Sequence, residues 1–258
     1  MIRRNATFEG RPSWVLLPQQ QHARVAGELA QHWGLDPLPV AEVLVPTLFR
    51  HDDGWEEWDR RPDVDCRAGC PIAFDEMRPS DSIPIWRQSV DSVADLGPLA
   101  SWLVSGHFAA LLRRSDHRPT RDEISATDID RFLEDFDRRG PTLLEAWATQ
   151  RKEPADPSRS AYLALEYLQW FDALSLWLCC AERSEATTMT DPLGREIRLI
   201  PEQNDRIAIV PWPMNGPSLT ITAVGLGLPA RHYKSTDDML TAVSGKATIS
   251  WQLCPASP

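Results

Sequence analysis

The chain of 258 residues has no run approaching the roughly 18 consecutive apolar residues of a membrane-spanning helix, so no membrane partner is expected. Its first residues, Met1-Ile2-Arg3-Arg4-Asn5, carry no apolar stretch of the secretory kind, and the expected compartment is the cytoplasm. Positive charge is also short: 27 Lys and Arg stand against 37 Asp and Glu, a formal net charge of −10. A protein that binds nucleic acid by neutralising phosphates needs a basic stripe interleaved with aromatics. None is visible, so no nucleic-acid partner is expected. The same deficit gives little long-range steering of anions, and any phosphate specificity would need a metal ion or a few local arginines. The five cysteines are odd in number, and Cys179-Cys180 lies in an apolar helical stretch. They do not form the two turn-borne pairs of a structural zinc site, so the thiols read as reduced and buried or incidental. Repeats and low-complexity tracts are absent.

What is present suits a globular protein with one sizeable core: 42% hydrophobic residues, 25% charged, and eleven tryptophans that hint at aromatic-lined cavities. Ser13 to Leu17 reads as a short strand. Helices are expected over Gln19–Trp33, started by Pro18 and stopped by Gly34, and over Val40–Arg50. Asp59 to Ser82 reads as one long irregular segment, a lid or pocket wall that presents Phe74. Helices resume over Ile85–Leu96 and Leu99–Arg114, followed by a linker over Ser115–Arg121. Thr127 then caps a helix over Asp128–Gln150 with a kink or break at Gly140-Pro141. A long helix to about Arg183, apolar almost all round, reads as the central buried one. Beyond Thr187 the character changes to short alternating strands over Glu196–Ile200, Arg206–Val210, Leu219–Val224 and Ala247–Leu253. The expected fold is mainly α, with a helical domain over 1–185 and a small antiparallel β-rich extension over 186–258 packed on it.

Chemistry concentrates in His51-Asp52-Asp53-Gly54-Trp55, at the end of the second helix. An adjacent imidazole and carboxylate offer nitrogen and oxygen donors to one hard or borderline metal ion. Three further groups stand on helix faces where polar side chains are out of place. His22 lies beside the Val25 and Leu29 stripe, His107 shares a face with Leu103 and Leu111, and Asp172 lies in the central helix among Leu165, Leu168 and Leu176. A carboxylate buried there without compensation would cost several kcal/mol, so a metal, a base or a proton must meet it.

In that order, a helical His22, the His51-Asp52 pair and a distant Asp172 followed by Ala173-Leu174-Ser175-Leu176, the chain resembles the HD-domain superfamily of metal-dependent phosphohydrolases. The likeness covers Gln19 to Leu178. More narrowly, the His-Asp-Asp-Gly-Trp stretch and Gly69-Cys70-Pro71-Ile72-Ala73-Phe74 resemble an uncharacterised bacterial branch known only as a domain of unknown function. The resemblance implies an HD-like helical bundle binding one or two divalent ions (Mn, Fe, Co, Ni, Mg or Zn) through His22, His51, Asp52 and Asp172, with His107 as a further ligand. It implies hydrolysis of a phosphorylated small molecule or nucleotide by a metal-activated water. Asp52 or Asp53 would orient or deprotonate that water, and His107 would stabilise developing charge. Trp55 stands where the family often has lysine, which points to an aromatic pocket with Trp58 and Phe74. Arg113, with Arg87 and Arg114, would contact phosphate. Two alternatives stay open: a di-iron oxygenase of a small organic substrate, and a non-catalytic metal-stabilised binding protein. The strand-rich tail would close the pocket or build a homodimer.

Overall fold

The computed structural model describes residues 1–114, 123–150, 156–180 and 185–256. The chain opens with an antiparallel hairpin, β1 (Ile2–Phe8) and β2 (Arg11–Leu17), followed by α1 (Gln19–Gln31) and α2 (Ala41–Arg50). A 3-10 turn over Asp53–Trp55 leads into the short α3 (Glu56–Arg60). The segment expected to be irregular holds a small hairpin, β3 (Val64–Asp65) and β4 (Cys70–Pro71), a 3-10 turn over Phe74–Glu76 and the start of α4 (Pro79–Ser92). The helical layer is completed by α5 (Pro98–Arg114), α6 (Glu123–Gln150) and α7 (Pro157–Cys180). The rest is β5 (Thr187–Thr190), β6 (Glu196–Pro201), β7 (Arg206–Val210), β8 (Leu219–Pro229), α8 (Thr236–Thr241) and β9 (Gly245–Pro255).

This architecture corrects the expectation of a mainly α, all-helical HD-like bundle with a small antiparallel β element. Among the described residues, seven strands form one curled mixed sheet in the order β1-β2-β8-β9-β7-β6-β5, so the fold is α/β. The N-terminal hairpin joins the C-terminal strands through β2 and β8, from Ser13 opposite Pro229 to Leu16 opposite Leu226. The sheet is not purely antiparallel either, because β7 and β9 run parallel. The physical reason for the missed hairpin lies in β1: Ile-Arg-Arg-Asn-Ala-Thr-Phe is an edge strand with almost no apolar alternation. Its pairing is fixed from the far end of the chain. The expected break in α6 is also absent, and the helix runs through Pro141 with Gly140 facing the Trp102 indole. The expected linker over Ser115–Arg121, and the end of the last core helix near Arg183, lie outside the described residues.

The inner face of the sheet and the helices share one core. Ile197, Leu199, Ile207, Ile221, Trp251 and Leu253 from the strands meet Val25 and Leu29 of α1 and Leu168, Phe171 and Leu178 of α7. Strands β6 and β8 bury alternate residues, as a sheet covered on one face requires. Polar contacts fix α1 on this platform. The Val224 amide of β8 donates to Gln21 Oε1 at 2.9 Å, and the Gln19 amide donates to the Asp59 carboxylate at 2.6 Å, capping the helix start. No described helix is long and apolar enough to cross a membrane, and none of the five cysteines forms a disulfide.

Gly54 explains why the turn after α2 can lie flat on α4. Its amide donates to Ser89 Oγ at 3.1 Å, and a Cβ at this position would collide with the Ile85 carbonyl and the Ser89 amide. Both obstacles are backbone, so relief requires moving α4 as a whole. Gly54→Ala is therefore expected to destabilise the protein by about 2 kcal/mol or more, measured as a lower denaturant midpoint at unchanged slope. An unchanged midpoint would contradict this close packing.

Candidate metal centre

Four helices carry five polar side chains into one buried cluster. His22 comes from α1, His51 from the end of α2 with Asp52 just beyond it, His107 from α5 and Asp172 from α7. Their exposures are 1%, 0%, 5%, 2% and 7% for His22, His51, Asp52, His107 and Asp172. His22 Nε2 lies 2.7 Å from Asp52 Oδ2 and 3.8 Å from Asp172 Oδ1. His51 Nε2 lies 3.2 Å from Asp172 Oδ1 and 3.8 Å from Asp52 Oδ2, and His107 Nε2 is 3.9 Å from Asp172 Oδ2. Neighbouring donors on one ion with bonds of about 2.1 Å stand about 3.0 Å apart in octahedral and about 3.4 Å apart in tetrahedral geometry, within the range of this spacing. Two triads, His22-His51-Asp52 and His51-His107-Asp172, each bring their donor atoms within 4.8 Å of one another, and they share His51.

The hydrogen bonds behind the rings decide which nitrogen faces the cluster. His51 Nδ1 lies 2.8 Å from the Leu48 carbonyl, which only accepts, so this nitrogen carries a proton. Ser175 Oγ donates its proton to the Asp172 carbonyl at 2.8 Å, and therefore accepts from His22 Nδ1 at 2.9 Å. In a neutral ring, both Nε2 atoms then point lone pairs at carboxylate oxygens, which also offer only lone pairs. Such an arrangement holds together only around positive charge, either protons on the imidazoles or a cation among them. Histidines oriented through Nδ1, with Nε2 and carboxylates converging, are the donor set of a divalent ion site. The residues present fit a resident divalent metal ion.

The structure brings together all five residues expected to ligate metal. Of the residues expected to contact substrate, Trp55 and Phe74 line the cavity beside the cluster. Trp58 does not line it. Asp53 turns away, accepting from Arg50 Nε at 3.1 Å. Arg113 pairs with Asp137 at 2.6 Å, while Arg87 and Arg114 hold Asp135 and Gln169, and none of these three lines the cavity. Two neighbours escaped the sequence reading. Ser175 lies three residues after Asp172 and Gln19 three before His22, so helical spacing put both on the site face. A larger cavity of about 510 Å³ between α5, α6 and α7 contains no residue of the cluster.

Electrostatics follow from this packing. Burial pushes the His51 imidazole down, but the adjacent Asp52 charge and the bond to Asp172 outweigh it and raise the pKa to about 9. Burial pushes Asp52 and Asp172 up, yet the surrounding imidazoles hold both below their ordinary value. His107 is lowered, mainly by burial. Without metal, the raised His51 stabilises the fold fully below its ordinary 6.5, and that contribution disappears as pH rises through about 9. The depressed carboxylates contribute above their ordinary 3.8 and lose their contribution as pH falls below it. An ion bound through His51 Nε2 would take the place of its proton. Metal-free protein is thus expected to lose stability between pH 6.5 and 9 while metal-loaded protein does not, and metal binding near neutral pH should release protons. Thermal unfolding across that range and titration calorimetry in buffers of different ionisation enthalpy read both effects. Ser175→Ala, which frees His22 Nδ1, should weaken metal binding about 10- to 100-fold. Parallel melting curves for the two forms, with no proton release, would contradict the assignment.

Residues 1–229 match the model of a family described as a protein of unknown function, DUF3891; that span contains the whole cluster and every strand of the sheet except β9. No curated protein and no solved structure matches the chain. None of these comparisons links it to the HD-domain superfamily. The chain belongs to the DUF3891 family.

Proposed function

We propose that this protein is a metal-dependent hydrolase of a small molecule, with water as the attacking group. One observation carries the reading: His22, Asp52, His107 and Asp172, four of the five ligating side chains, also line a cavity of about 270 Å³. Exposed Asp75 and Leu111 stand at its outer end, so the candidate metal centre faces a space open to solute. A divalent ion held there supplies Lewis acidity and brings the pKa of a bound water toward about 7. His51, the fully buried member that both triads share, holds the cluster from the side that does not line the cavity. Asp52 faces the cavity and is placed to accept a hydrogen bond from an incoming water and orient it. The apolar wall around them limits access of bulk water and strengthens each charge interaction inside.

The donor set is the one that the HD resemblance implies, and that likeness of residues, not the fold, supports hydrolysis. A second reading, oxygen activation on a small organic substrate, is favoured by a different observation: the cavity wall is aromatic and has no lysine or arginine among the described residues. Three imidazoles and two carboxylates suit iron as well as zinc, manganese or cobalt.

Metal-loaded protein is expected to hydrolyse members of a panel of small esters, amides and phosphate esters, with one oxygen of the product derived from solvent water. A chelator should abolish turnover and added divalent ion restore it. Asp52→Asn should lower kcat by about 10²-fold or more. Turnover that survives complete chelation contradicts the proposal, and oxygen uptake coupled to substrate loss selects the second reading.

A further inference from the structure

We infer that the cavity takes an uncharged, mainly apolar small molecule bearing a hydrogen-bond donor, an amide of about the size of one aromatic ring with a short chain, and that it rejects phosphate esters. This names a substrate class for the hydrolase reading above and rests on it only for the reaction.

Charge comes first. A single divalent ion held among Asp52 and Asp172 would have its charge matched by those two carboxylates, leaving little surplus positive charge for an anion. The remaining charged side chain on the cavity wall, among the described residues, is Asp75, which is negative and exposed at the outer end. A phosphate ester would bring its own negative charges into an apolar space without a cation to meet them, which is costly.

Shape and polarity agree. Trp55 and Phe108 are each 2% exposed and form the inner wall. Trp86 stacks on Phe108 with ring centroids 4.9 Å apart and planes 5° apart, giving a flat aromatic surface. Phe74 and Met77 extend it outward. The volume of about 270 Å³ sits at the low end for ligand pockets, which run from roughly 300 Å³, so the occupant is small.

Among the residues of this wall, two buried polar atoms, Gln19 Oε1 and His107 Nδ1, have no hydrogen-bond partner among the described residues. Gln19 lines the cavity, is 2% exposed, and its Oε1 has no hydrogen-bond partner among the described residues. A buried acceptor without a donor is uncommon in proteins, and a turn of the Gln19 amide toward the cavity would let an N–H or O–H of the occupant satisfy it. Gln19 stands one helical turn from His22, so a donor bound to it holds the neighbouring bond of the same molecule beside the cluster. For an amide, hydrolysis then breaks C–N and forms C–O: the acyl carbon takes the hydroxyl of water and the leaving amine takes the proton.

The test uses two probes of similar size, 3-phenylpropanamide and phenyl phosphate. Each is titrated into the full chain by calorimetry and by tryptophan fluorescence, with metal content measured on the same samples. The amide is expected to bind at least tenfold more tightly than the phosphate. Gln19→Leu should weaken amide binding about tenfold with metal content unchanged. Asp75→Lys, a change at an exposed position, should raise phenyl phosphate affinity and leave the amide nearly unaffected. Phenyl phosphate binding as tightly as the amide, or no amide binding at all, overturns the inference. The two readings separate cleanly: a preparation that binds no metal but still prefers the amide sinks the metal-dependent reaction and upholds the substrate class. Metal binding with a preference for phosphate does the reverse.

Discussion

Everything in this protein that is not ordinary core depends on one electrostatic constraint: two buried carboxylates and three buried imidazoles face one another. The Leu48 carbonyl and Ser175 Oγ commit two of the rings to present Nε2 inward. Neutral nitrogen lone pairs facing carboxylate oxygens repel, so the arrangement persists only around positive charge. Protons on imidazoles such as His51, whose pKa its carboxylate neighbours raise, can serve in that role, and the donor set is one that could hold a divalent ion instead. Removing one member leaves the others uncompensated in a low-dielectric interior, a far larger penalty than loss of any surface ion pair.

The fold supplies the rigidity that such a cluster needs. The five groups come from four helices, and two of those helices, α1 and α7, lie on the curled sheet through a shared apolar core. The sheet joins the N-terminal hairpin to the C-terminal strands through β2 and β8, and this platform holds α1 and α7. Gln21 ties α1 to β8 one residue before His22, and Asp59 caps the same helix one turn earlier. Sites carried on helices with oriented supporting groups hold their geometry better than sites carried on loops.

Much of the site was legible in the sequence, and less of the fold. A histidine or aspartate on an otherwise apolar helix face must be compensated, and that argument located His22, His107 and Asp172 without their partners being known. The same periodicity would have reached Ser175 and Gln19 had they been read as members of the site face instead of as a central-helix serine and a helix-start glutamine. Arg113 and Asp53 were plausible by type and proximity in sequence, yet each is held by a nearer partner, Asp137 or Arg50. Local composition does not reveal that competition. The sheet was underestimated because β1 is polar and lies at an edge, and its neighbour β2 finds β8 across some two hundred residues of chain. Helix periodicity is local information, and strand pairing of this range is not.

Elemental analysis of purified wild type beside Asp172→Ala and His51→Ala, each confirmed as folded, tests the central claim most directly. Near-stoichiometric divalent metal in the wild type, lost in both variants, is the predicted result. Wild-type protein that remains without metal after reconstitution with zinc, manganese, iron and cobalt would mean that the buried cluster is balanced by protons alone, and would contradict the account.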